Sequence, residues 1–313
     1  MKIGVCMDVR NKDKQLLEAA APGAEFVYSK DFELLKDVDI LLGNQPPAKV
    51  TTMPNLKWVQ LNSAGADRYC KPGILPESVQ LTNATGAYGL ALSEHLLALL
   101  LAMMKKLYKY YDNQKDHDWH DEGTVTTLKD ATVVIVGFGD IGRYFGRIVK
   151  ALGAHVIGIR RREGAIPPEA DEMGHLDKLD EYLSRADIVV SALPGTPATE
   201  GLYTAEKFAA MKQGAFFLNV GRGTAVDQKA LADALKSGHL AGAAVDVANP
   251  EPLPKDDPLW DAPNMYITPH ISGEWHLPNT WDKVIEISTR NLKKFFAGEP
   301  LDNIVDRQTG YKK

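Results

Sequence analysis

VVIVGFGDIGR, residues 133–143, is the stretch that decides the fold of this chain. Apolar residues typical of a buried strand run directly into Gly137-x-Gly139-x-x-Gly142, and an amphipathic helical pattern follows at once. A dinucleotide pyrophosphate needs this order: the first glycine permits a tight turn, the second lets the backbone approach the phosphates, and the third lets helix and strand pack closely. The N–H groups at the start of the helix add a partial positive charge. The stretch therefore predicts dinucleotide binding, and a glycine-rich turn in an unrelated α/β protein is the alternative.

The end of the next predicted strand bears on which dinucleotide binds. NAD-binding versions of this motif carry Asp or Glu about 20 residues further on, where it bonds the ribose 2′-hydroxyl. Here the strand HVIGI ends in Arg160-Arg161-Arg162. A carboxylate would repel a 2′-phosphate, whereas guanidinium groups offer it planar, charged donors. The run predicts a preference for NADP (NADPH). NAD stays open because Glu163 follows the run, and a solvated basic turn is the alternative.

Composition and charge exclude several classes of protein. The chain has 313 residues, of which 44% are hydrophobic and 25% charged, as in ordinary globular proteins. A net charge of −5 argues against general nucleic-acid binding. Cys6 and Cys70 stand in no metal or redox spacing, the histidines show no ligand-like spacing, and the apolar run 96–104 is too short to span a bilayer. The N-terminus reads as a strand without a signal-peptide pattern, so we expect a cytoplasmic protein with no metal site and no membrane or nucleic-acid partner.

Strands and helices alternate regularly after residue 131. The predicted strands are 132–136, 155–159, 188–192, 215–220, 243–247 and 265–268, with helical patterns such as 205–211 and 228–236 between several of them. This alternation predicts a parallel sheet covered on both faces, and six strands is the size of a full dinucleotide-binding domain.

The N-terminal part of the chain repeats the theme on a smaller scale. Short strands are predicted at 2–7, 40–42, 58–61 and 79–81. The stretch 90–111 is apolar on nearly all sides in its first half, so we expect a buried helix that crosses between domains and packs against a second subunit. A helical pattern at 280–296 has the length to cross back. We therefore expect a discontinuous substrate-binding domain, 1–95 plus 277–313, and a dinucleotide-binding domain at 96–276.

Polar side chains of three types follow three predicted strands, at the sheet edge where such folds bind ligands. They are Arg222, Glu251 and His270. An arginine can bind a carboxylate and polarise a carbonyl, and a histidine can donate a proton to the oxygen as hydride reaches the carbon. A glutamate beside the histidine favours the imidazolium and fixes its orientation. Each residue alone could be structural, but together they suit the reduction of a 2-oxo acid.

The chain resembles the D-isomer-specific 2-hydroxyacid dehydrogenase family in GFGDIGR, SALPGTPATEGLY (191–203), NVGRGTAVDQKALADALKSGHLAGAAVDV (219–247), Glu251-Pro252 and Thr268-Pro269-His270. The resemblance implies two Rossmann-like or flavodoxin-like α/β domains with doubly wound parallel sheets and an active site in the cleft between them. It implies that Arg222, Glu251 and His270 are the catalytic trio, and that the protein is a homodimer. The ending NIVDRQTGY is closest in appearance to the NADPH-dependent glyoxylate/hydroxypyruvate reductase subgroup.

The motif and the resemblance together assign binding residues. The expected cofactor contacts are Gly137, Gly139, Asp140, Ile141, Gly142, Arg160, Arg161, Leu193, Pro194 and Asp246, with Asp246 facing the nicotinamide amide. The expected substrate contacts are Ser63, Ala64 and Gly65 of NSAGADRY, with Arg222 and His270. Backbone N–H groups of a small-residue turn can hold a carboxylate with no side chain in the way, although an ordinary turn is the reading without the family. Tyr88, Trp275 and His276 are candidate pocket residues without an assigned role.

Two departures from the family leave the substrate open. The arginine run replaces the acidic residue of NAD-dependent members, and ISGEWHLPNTW after His270 replaces a small-residue, Thr-containing turn. We predict an oxidoreductase that reduces glyoxylate, hydroxypyruvate or a similar 2-oxo acid to the D-2-hydroxy acid with NADPH. One alternative is an NAD-dependent D-3-phosphoglycerate dehydrogenase, which needs basic residues for the substrate phosphate that the Ser63 loop does not supply. The other is a non-catalytic dinucleotide-sensing protein.

Overall fold

The computed structural model describes residues 1–273, 276–308 and 310. The chain divides into two compact units: Met1–Tyr88 with Leu277–Lys313, and Gly89–His276. The first break falls after Tyr88, whereas the sequence pattern placed it after residue 95. The long apolar helix begins at Gly89, so all of it lies in the second unit.

The described residues form the following helices and strands. The strands are β1 (Lys2–Val5), β2 (Glu25–Tyr28), β3 (Ile40–Leu42), β4 (Trp58–Gln60), β5 (Gln80–Thr82), β6 (Thr132–Val136), β7 (His155–Ile159), β8 (Glu172–Gly174), β9 (Ile188–Ser191), β10 (Ala215–Asn219), β11 (Leu240–Val245) and β12 (Met265–Ile267). The α-helices are α1 (Asn11–Ala20), α2 (Pro47–Val50), α3 (Gly89–Met104), α4 (Leu107–Lys115), α5 (Asp140–Ala151), α6 (Leu179–Leu183), α7 (Ala205–Ala209), α8 (Gln228–Lys236) and α9 (Pro278–Ala297).

The first unit is built on a five-stranded parallel sheet with strand order β2-β1-β3-β4-β5. This is the flavodoxin-like doubly wound order. An antiparallel bridge between Thr82 and Ile304 joins the C-terminal segment to the sheet. Strand β2 was not predicted, because EFVY forms a partly exposed edge strand with little apolar patterning.

The second unit is built on a seven-stranded parallel sheet with strand order β12-β11-β10-β9-β6-β7-β8. The chain runs outward through β6, β7 and β8 and then returns to the other side of β6, so the switch point lies between β6 and β9. The structure confirms the predicted doubly wound α/β class in both units. It adds β8 to the six predicted strands, since the short segment EMG carries no strand signal of its own.

Helix α5 shows why the stretch after the glycine turn folds as it does. Its buried positions are Gly142, Phe145, Gly146 and Val149, one face of a 3.6-residue period. Burying a side chain such as that of Phe145 stabilises the fold by about 1.5–3 kcal/mol. Gly142 lets the helix lie close to β6, and Gly146 lets it lie against Phe138 and the backbone of Glu169.

The predicted helix 90–111 is broken in two. Lys106 adopts a left-handed conformation with φ of 54° and separates α3 from α4. One face of α3 is buried within the unit, including Leu92, Leu96 and Leu100, while other leucines on it remain only half-buried. The expectation that the whole helix is buried is therefore met on one face only. In the part of the chain that the structure describes, no helix combines the length and the apolar character needed to cross a membrane.

Candidate active site

Two of the three motif glycines in the turn after β6 lie tightly against the backbone, and the third faces open space. An added Cβ at Gly137, where φ is 100°, would lie 2.6 Å from the carbonyl oxygen of Ala192. At Gly142 it would lie 2.5 Å from the carbonyl oxygen of Gly137. At Gly139 it would meet no atom of the residues that the structure describes within 4 Å. The open space at Gly139 lies beside the start of α5, where Asp140 and Ile141 begin the helix, so the turn fits the pyrophosphate of a dinucleotide.

The arginine run lies at the carboxyl end of β7, next to the glycine turn on β6. The Arg160 amide donates to the carbonyl of Gly174, and its Nη2 donates to the carbonyl oxygen of Ala165 at 3.0 Å. Arg161 and Arg162 are exposed. Guanidinium groups therefore stand at the strand end where NAD-binding versions of this motif carry an acid.

A buried carboxylate holds the segment that follows the arginine run. Glu169, 6% exposed, accepts hydrogen bonds from Arg143 and Arg147 of α5 at 3.1–3.2 Å. Burial alone would raise the pKa of the Glu169 carboxyl, but the hydrogen bonds from Arg147 and Arg143 outweigh it and hold the pKa below its usual value. Sequence reasoning missed this contact, because nothing local to Glu169 marks it as buried.

Glu251 and His270 are in direct contact. The Nδ1 atom of His270 lies 2.9 Å and 3.1 Å from the two carboxylate oxygens of Glu251. A carboxylate only accepts, so Nδ1 carries the hydrogen of this bond. The Nε2 atom is therefore the ring nitrogen that Glu251 does not hold. The amide of Ala248 donates to one of the same two oxygens and helps to hold the carboxylate in place.

The arginine of the predicted trio is held by a buried asparagine. Asn219, 1% exposed, ends β10 and donates to the carbonyl of Arg222 while it accepts from the amide of Gly221. An added Cβ at Gly223 would lie 2.0 Å from the carbonyl carbon of Ala248, so this turn lies against the chain leading to Glu251. Asn219 was missed as a site residue. The signal that could have found it is a polar residue ending a strand that is otherwise fully apolar.

Leu193 and Pro194 line the same edge of the sheet after β9. Leu193 is buried, and an added Cβ at Gly221 would lie 2.5 Å from its carbonyl oxygen. The carbonyl of Pro194 accepts from the Thr199 hydroxyl at 2.7 Å. The two residues therefore form the wall between the glycine turn and the Arg222 turn.

Asp246 organises the turn that carries His270. Its side chain is almost completely buried, and one oxygen accepts from the Thr268 hydroxyl at 2.6 Å and the Ile271 amide at 2.9 Å. The other accepts from the amide and hydroxyl of Ser272 at 3.1 Å and 2.5 Å. His270 itself has φ of 55°, a left-handed conformation that costs on the order of 1–3 kcal/mol in a non-glycine residue. The Asp246 contacts on both sides hold it there; that Asp246 faces a nicotinamide amide stays a prediction.

The predicted carboxylate loop lies in the first unit. Ser63 donates through its hydroxyl to the carbonyl of Gly65 at 2.8 Å, and the Asn83 side chain donates to the carbonyl of Ala64 at 2.7 Å. Among residues 1–273, 276–308 and 310, none accepts a hydrogen bond from the main-chain N–H groups of Ser63, Ala64 or Gly65. The half-buried loop thus offers three donors of the kind that a carboxylate needs.

Of the candidate pocket residues Tyr88, Trp275 and His276, the structure describes the first and the last. The Tyr88 hydroxyl is buried and donates to the carbonyl of Asn62, next to the carboxylate loop. His276 is exposed. Trp275 lies outside the described residues. Within the described part of the chain, no cluster of His, Cys, Asp or Glu could hold a metal ion.

Known proteins of similar sequence and structure include three dehydrogenases or reductases. A hydroxypyruvate reductase from Blautia hydrogenotrophica is 29% identical over 323 residues, covering 97% of this chain and 98% of that protein. A D-3-phosphoglycerate dehydrogenase from Mycobacterium leprae is 32% identical over 304 residues, covering 96% of this chain and 55% of that protein. The crystal structure of the NADPH-dependent glyoxylate/hydroxypyruvate reductase from Sinorhizobium meliloti in complex with NADP and sulfate gives a TM-score of 0.84 at 29% identity, covering 99% of each chain.

The family follows from a sequence match over the second unit. Residues 97–272 match the profile of the D-isomer specific 2-hydroxyacid dehydrogenase, NAD binding domain. The match spans more than half of the 313 residues, and it includes the glycine turn and all three residues of the predicted trio. The chain therefore belongs to the D-isomer-specific 2-hydroxyacid dehydrogenase family.

Proposed function

We propose that this protein reduces a small 2-oxo acid, such as glyoxylate or hydroxypyruvate, to the D-2-hydroxy acid with NADPH as hydride donor. One observation carries the proposal. The Glu251–His270 pair, at 2.9 Å, stands at the carboxyl end of the same parallel sheet whose glycine turn fits a dinucleotide. That edge is where doubly wound sheets bind their ligands.

His270 is the proton donor in this proposal. When bound, the reduced nicotinamide supplies a hydride for the C2 carbon of the oxo acid. His270, protonated on both ring nitrogens, donates the Nε2 proton to the carbonyl oxygen, and in the reverse direction Nε2 takes it back. Glu251 stabilises the imidazolium and keeps Nε2 directed away from itself, since it holds Nδ1.

Arg222 and the loop of the first unit bind the acid in this proposal. The Arg222 guanidinium pairs with the substrate carboxylate and polarises the carbonyl to be reduced. The N–H groups of Ser63, Ala64 and Gly65 supply further donors to the same carboxylate. In this proposal a 2-oxo acid is bound through its carboxylate and its C2 carbonyl oxygen, and these contacts fix the position of C2.

The cofactor preference rests on the arginine run. Arg160, Arg161 and Arg162 supply positive charge at the end of β7, where a 2′-phosphate would lie beside the ribose. The Sinorhizobium meliloti reductase, described with NADP, is consistent with this reading. NAD is the alternative cofactor.

We also propose a cytoplasmic homodimer. Leu107, Tyr111 and Trp119 are exposed apolar side chains close in sequence to the half-buried leucines of α3, and a second subunit would cover them. Cys6 and Cys70 are both free, as is usual in a reducing compartment. Size-exclusion chromatography with light scattering tests the dimer.

The two alternative functions, a D-3-phosphoglycerate dehydrogenase and a dinucleotide sensor, require different residues at the site. A D-3-phosphoglycerate dehydrogenase is among the similar proteins, and Arg68, exposed on the single helical turn after the Ser63 loop, is the cation closest in sequence that could meet a substrate phosphate. A dinucleotide sensor needs no proton donor, so the Glu251–His270 contact would have no use in it.

The experiment is a spectrophotometric assay with NADPH and NADH in parallel. The acceptors are glyoxylate, hydroxypyruvate, pyruvate, a branched 2-oxo acid and phenylpyruvate, and 3-phosphoglycerate is tested in the oxidative direction. We expect turnover of the small acceptors with NADPH. Activity only with NADH would overturn the cofactor proposal. Cofactor binding without turnover of any acid would favour the sensor.

A further inference from the structure

His95 on α3 is a histidine that the proposed chemistry does not use, yet it lies beside the turn that carries His270. Its side chain is 19% exposed. The Nε2 atom lies 3.1 Å from the Thr268 hydroxyl oxygen and 4.0 Å from a carboxylate oxygen of Asp246. All of these residues belong to the second unit.

The direction of the hydrogen bonds follows from the donor inventory. A hydroxyl has one hydrogen, and the Thr268 oxygen lies 2.6 Å from the carboxylate of Asp246, which can only accept. The Thr268 hydrogen therefore points at Asp246, and the same oxygen must accept from His95. This requires a hydrogen on Nε2 of His95.

Hydrogen bonds link His95 to Thr268 and Thr268 to Asp246, and Asp246 contacts residues on both sides of His270. Asp246 contacts the Thr268 hydroxyl before the turn and the amides of Ile271 and Ser272 after it. With φ of 55°, His270 occupies a conformation that its own backbone does not favour. The donor from His95 fixes the rotation of the Thr268 hydroxyl and so strengthens the bond to Asp246.

We propose that His95 is a positioning residue for the proton donor. By donating from Nε2 to Thr268, it keeps the Asp246 carboxylate in the geometry that holds His270. This inference rests on the proposed function, since it assumes that His270 donates the proton. It assigns His95 no contact with substrate or cofactor.

Two substitutions separate the hydrogen bond from mere packing. In His95→Gln, the side-chain amide nitrogen lies close to the position of Nε2 and keeps a donor. His95→Leu fills similar space without one. We expect His95→Leu to lower kcat roughly tenfold, because a small displacement of a catalytic group is costly. The melting temperature should change little, and His95→Gln should retain most of the wild-type kcat.

A second readout does not depend on activity. Long-range ¹H–¹⁵N NMR of histidine-labelled protein distinguishes a protonated from an unprotonated ring nitrogen, and the His95 signals are those absent from His95→Gln. We expect a protonated Nε2 on His95. An unprotonated Nε2 would overturn the proposal, and so would equal kcat losses in the Gln and Leu variants, or no loss in either.

The two proposals fail in different ways. If the wild-type protein reduces none of the 2-oxo acids, the proposed function fails, and the NMR signal still decides the direction of the His95 hydrogen bond. If the wild-type protein is active and His95→Leu matches it, only the role of His95 fails.

Discussion

Two turns at the same edge of the second sheet differ sharply in how they are held. The turn after β12 carries His270 and is fixed by Glu251 and by the buried carboxylate of Asp246. The turn after β7 carries Arg161 and Arg162, which are exposed, and Arg160, which is half-buried and donates to the Ala165 carbonyl. A proton transfer depends on tenths of an ångström, whereas attraction between a phosphate and guanidinium groups tolerates movement. The comparison suggests that chemistry and cofactor choice can be changed separately.

The largest expected effect on kcat comes from replacing His270 in the turn after β12. His270→Gln removes the proposed proton donor, and we expect kcat to fall roughly a thousandfold, within the range usual for general acid catalysis. Fluorescence titration should give an NADPH dissociation constant close to that of the wild-type protein. Unchanged turnover would remove His270 from the mechanism.

Arg222→Ala tests the neighbouring turn. Because this side chain is proposed to bind the substrate in both ground and transition states, kcat should fall and KM for the oxo acid should rise, lowering kcat/KM by roughly a hundredfold or more. Arg222→Lys is the matched control, since it keeps the charge and loses the planar pair of donors. Normal kinetics in the alanine variant would exclude Arg222 from the site.

Gly139 and Gly142 provide a matched pair within the glycine turn. At Gly139 an added methyl group meets no atom of the described residues within 4 Å, so Gly139→Ala should leave the melting temperature unchanged. It should weaken NADPH binding roughly tenfold, since it fills the space proposed for the pyrophosphate. At Gly142 the methyl meets a carbonyl oxygen at 2.5 Å, so Gly142→Ala should destabilise the fold by about 1–3 kcal/mol. If Gly139→Ala binds NADPH normally, the pyrophosphate lies elsewhere.

Arg160→Asp tests the open turn. Exchange of a positive for a negative charge should shift the kcat/KM ratio of NADPH to NADH toward NADH by roughly ten- to a hundredfold. The kcat with saturating cofactor should change little, because the β12 turn is not altered. A ratio equal to that of the wild-type protein would show that the arginine run does not select the cofactor.

The smallest expected effect is on the free energy of unfolding, through Glu169, which holds the segment after the arginine run. Glu169→Gln should lower the free energy of unfolding by about 1–2 kcal/mol near neutral pH, since its arginine partners are themselves partly exposed. The folded state lowers the pKa of Glu169, so this stabilisation is present above the unfolded pKa and is lost as pH falls through the folded value. Urea unfolding should show the two proteins converging in acid, and a difference that grows toward acid pH would contradict this.

Continuous apolar strands were the most predictable part of the fold. The bounds of β6 and β7 agree with the sequence pattern, because each is an unbroken apolar run next to a glycine or arginine turn. Strand β8 and the break at Lys106 were missed, since neither has a local signal that outweighs its neighbours. The parallel α/β sheet of the second unit follows from the alternation of strands and helices, and the family resemblance implied the doubly wound class of both units.

The contact between Glu251 and His270 was predictable from the sequence, whereas the residues that hold the site were not. Polar residues after strands pointed to Glu251 and His270, and the structure brings them into contact. His95 contacts Thr268, which is distant in the chain, and Asn219 contacts the backbone of the turn that follows it. Sequence periodicity does not report contacts of either kind. Supporting contacts of this kind become visible only in three dimensions.

The most direct test of the central claim is the fate of the transferred hydrogen. Wild-type protein is incubated with hydroxypyruvate and NADPH that carries deuterium at its transferable C4 position, and the glycerate formed is analysed by chiral chromatography and mass spectrometry. The account predicts D-glycerate with one deuterium on C2. L-glycerate, or product without the label, or no product from any 2-oxo acid tested in the same way, would contradict it.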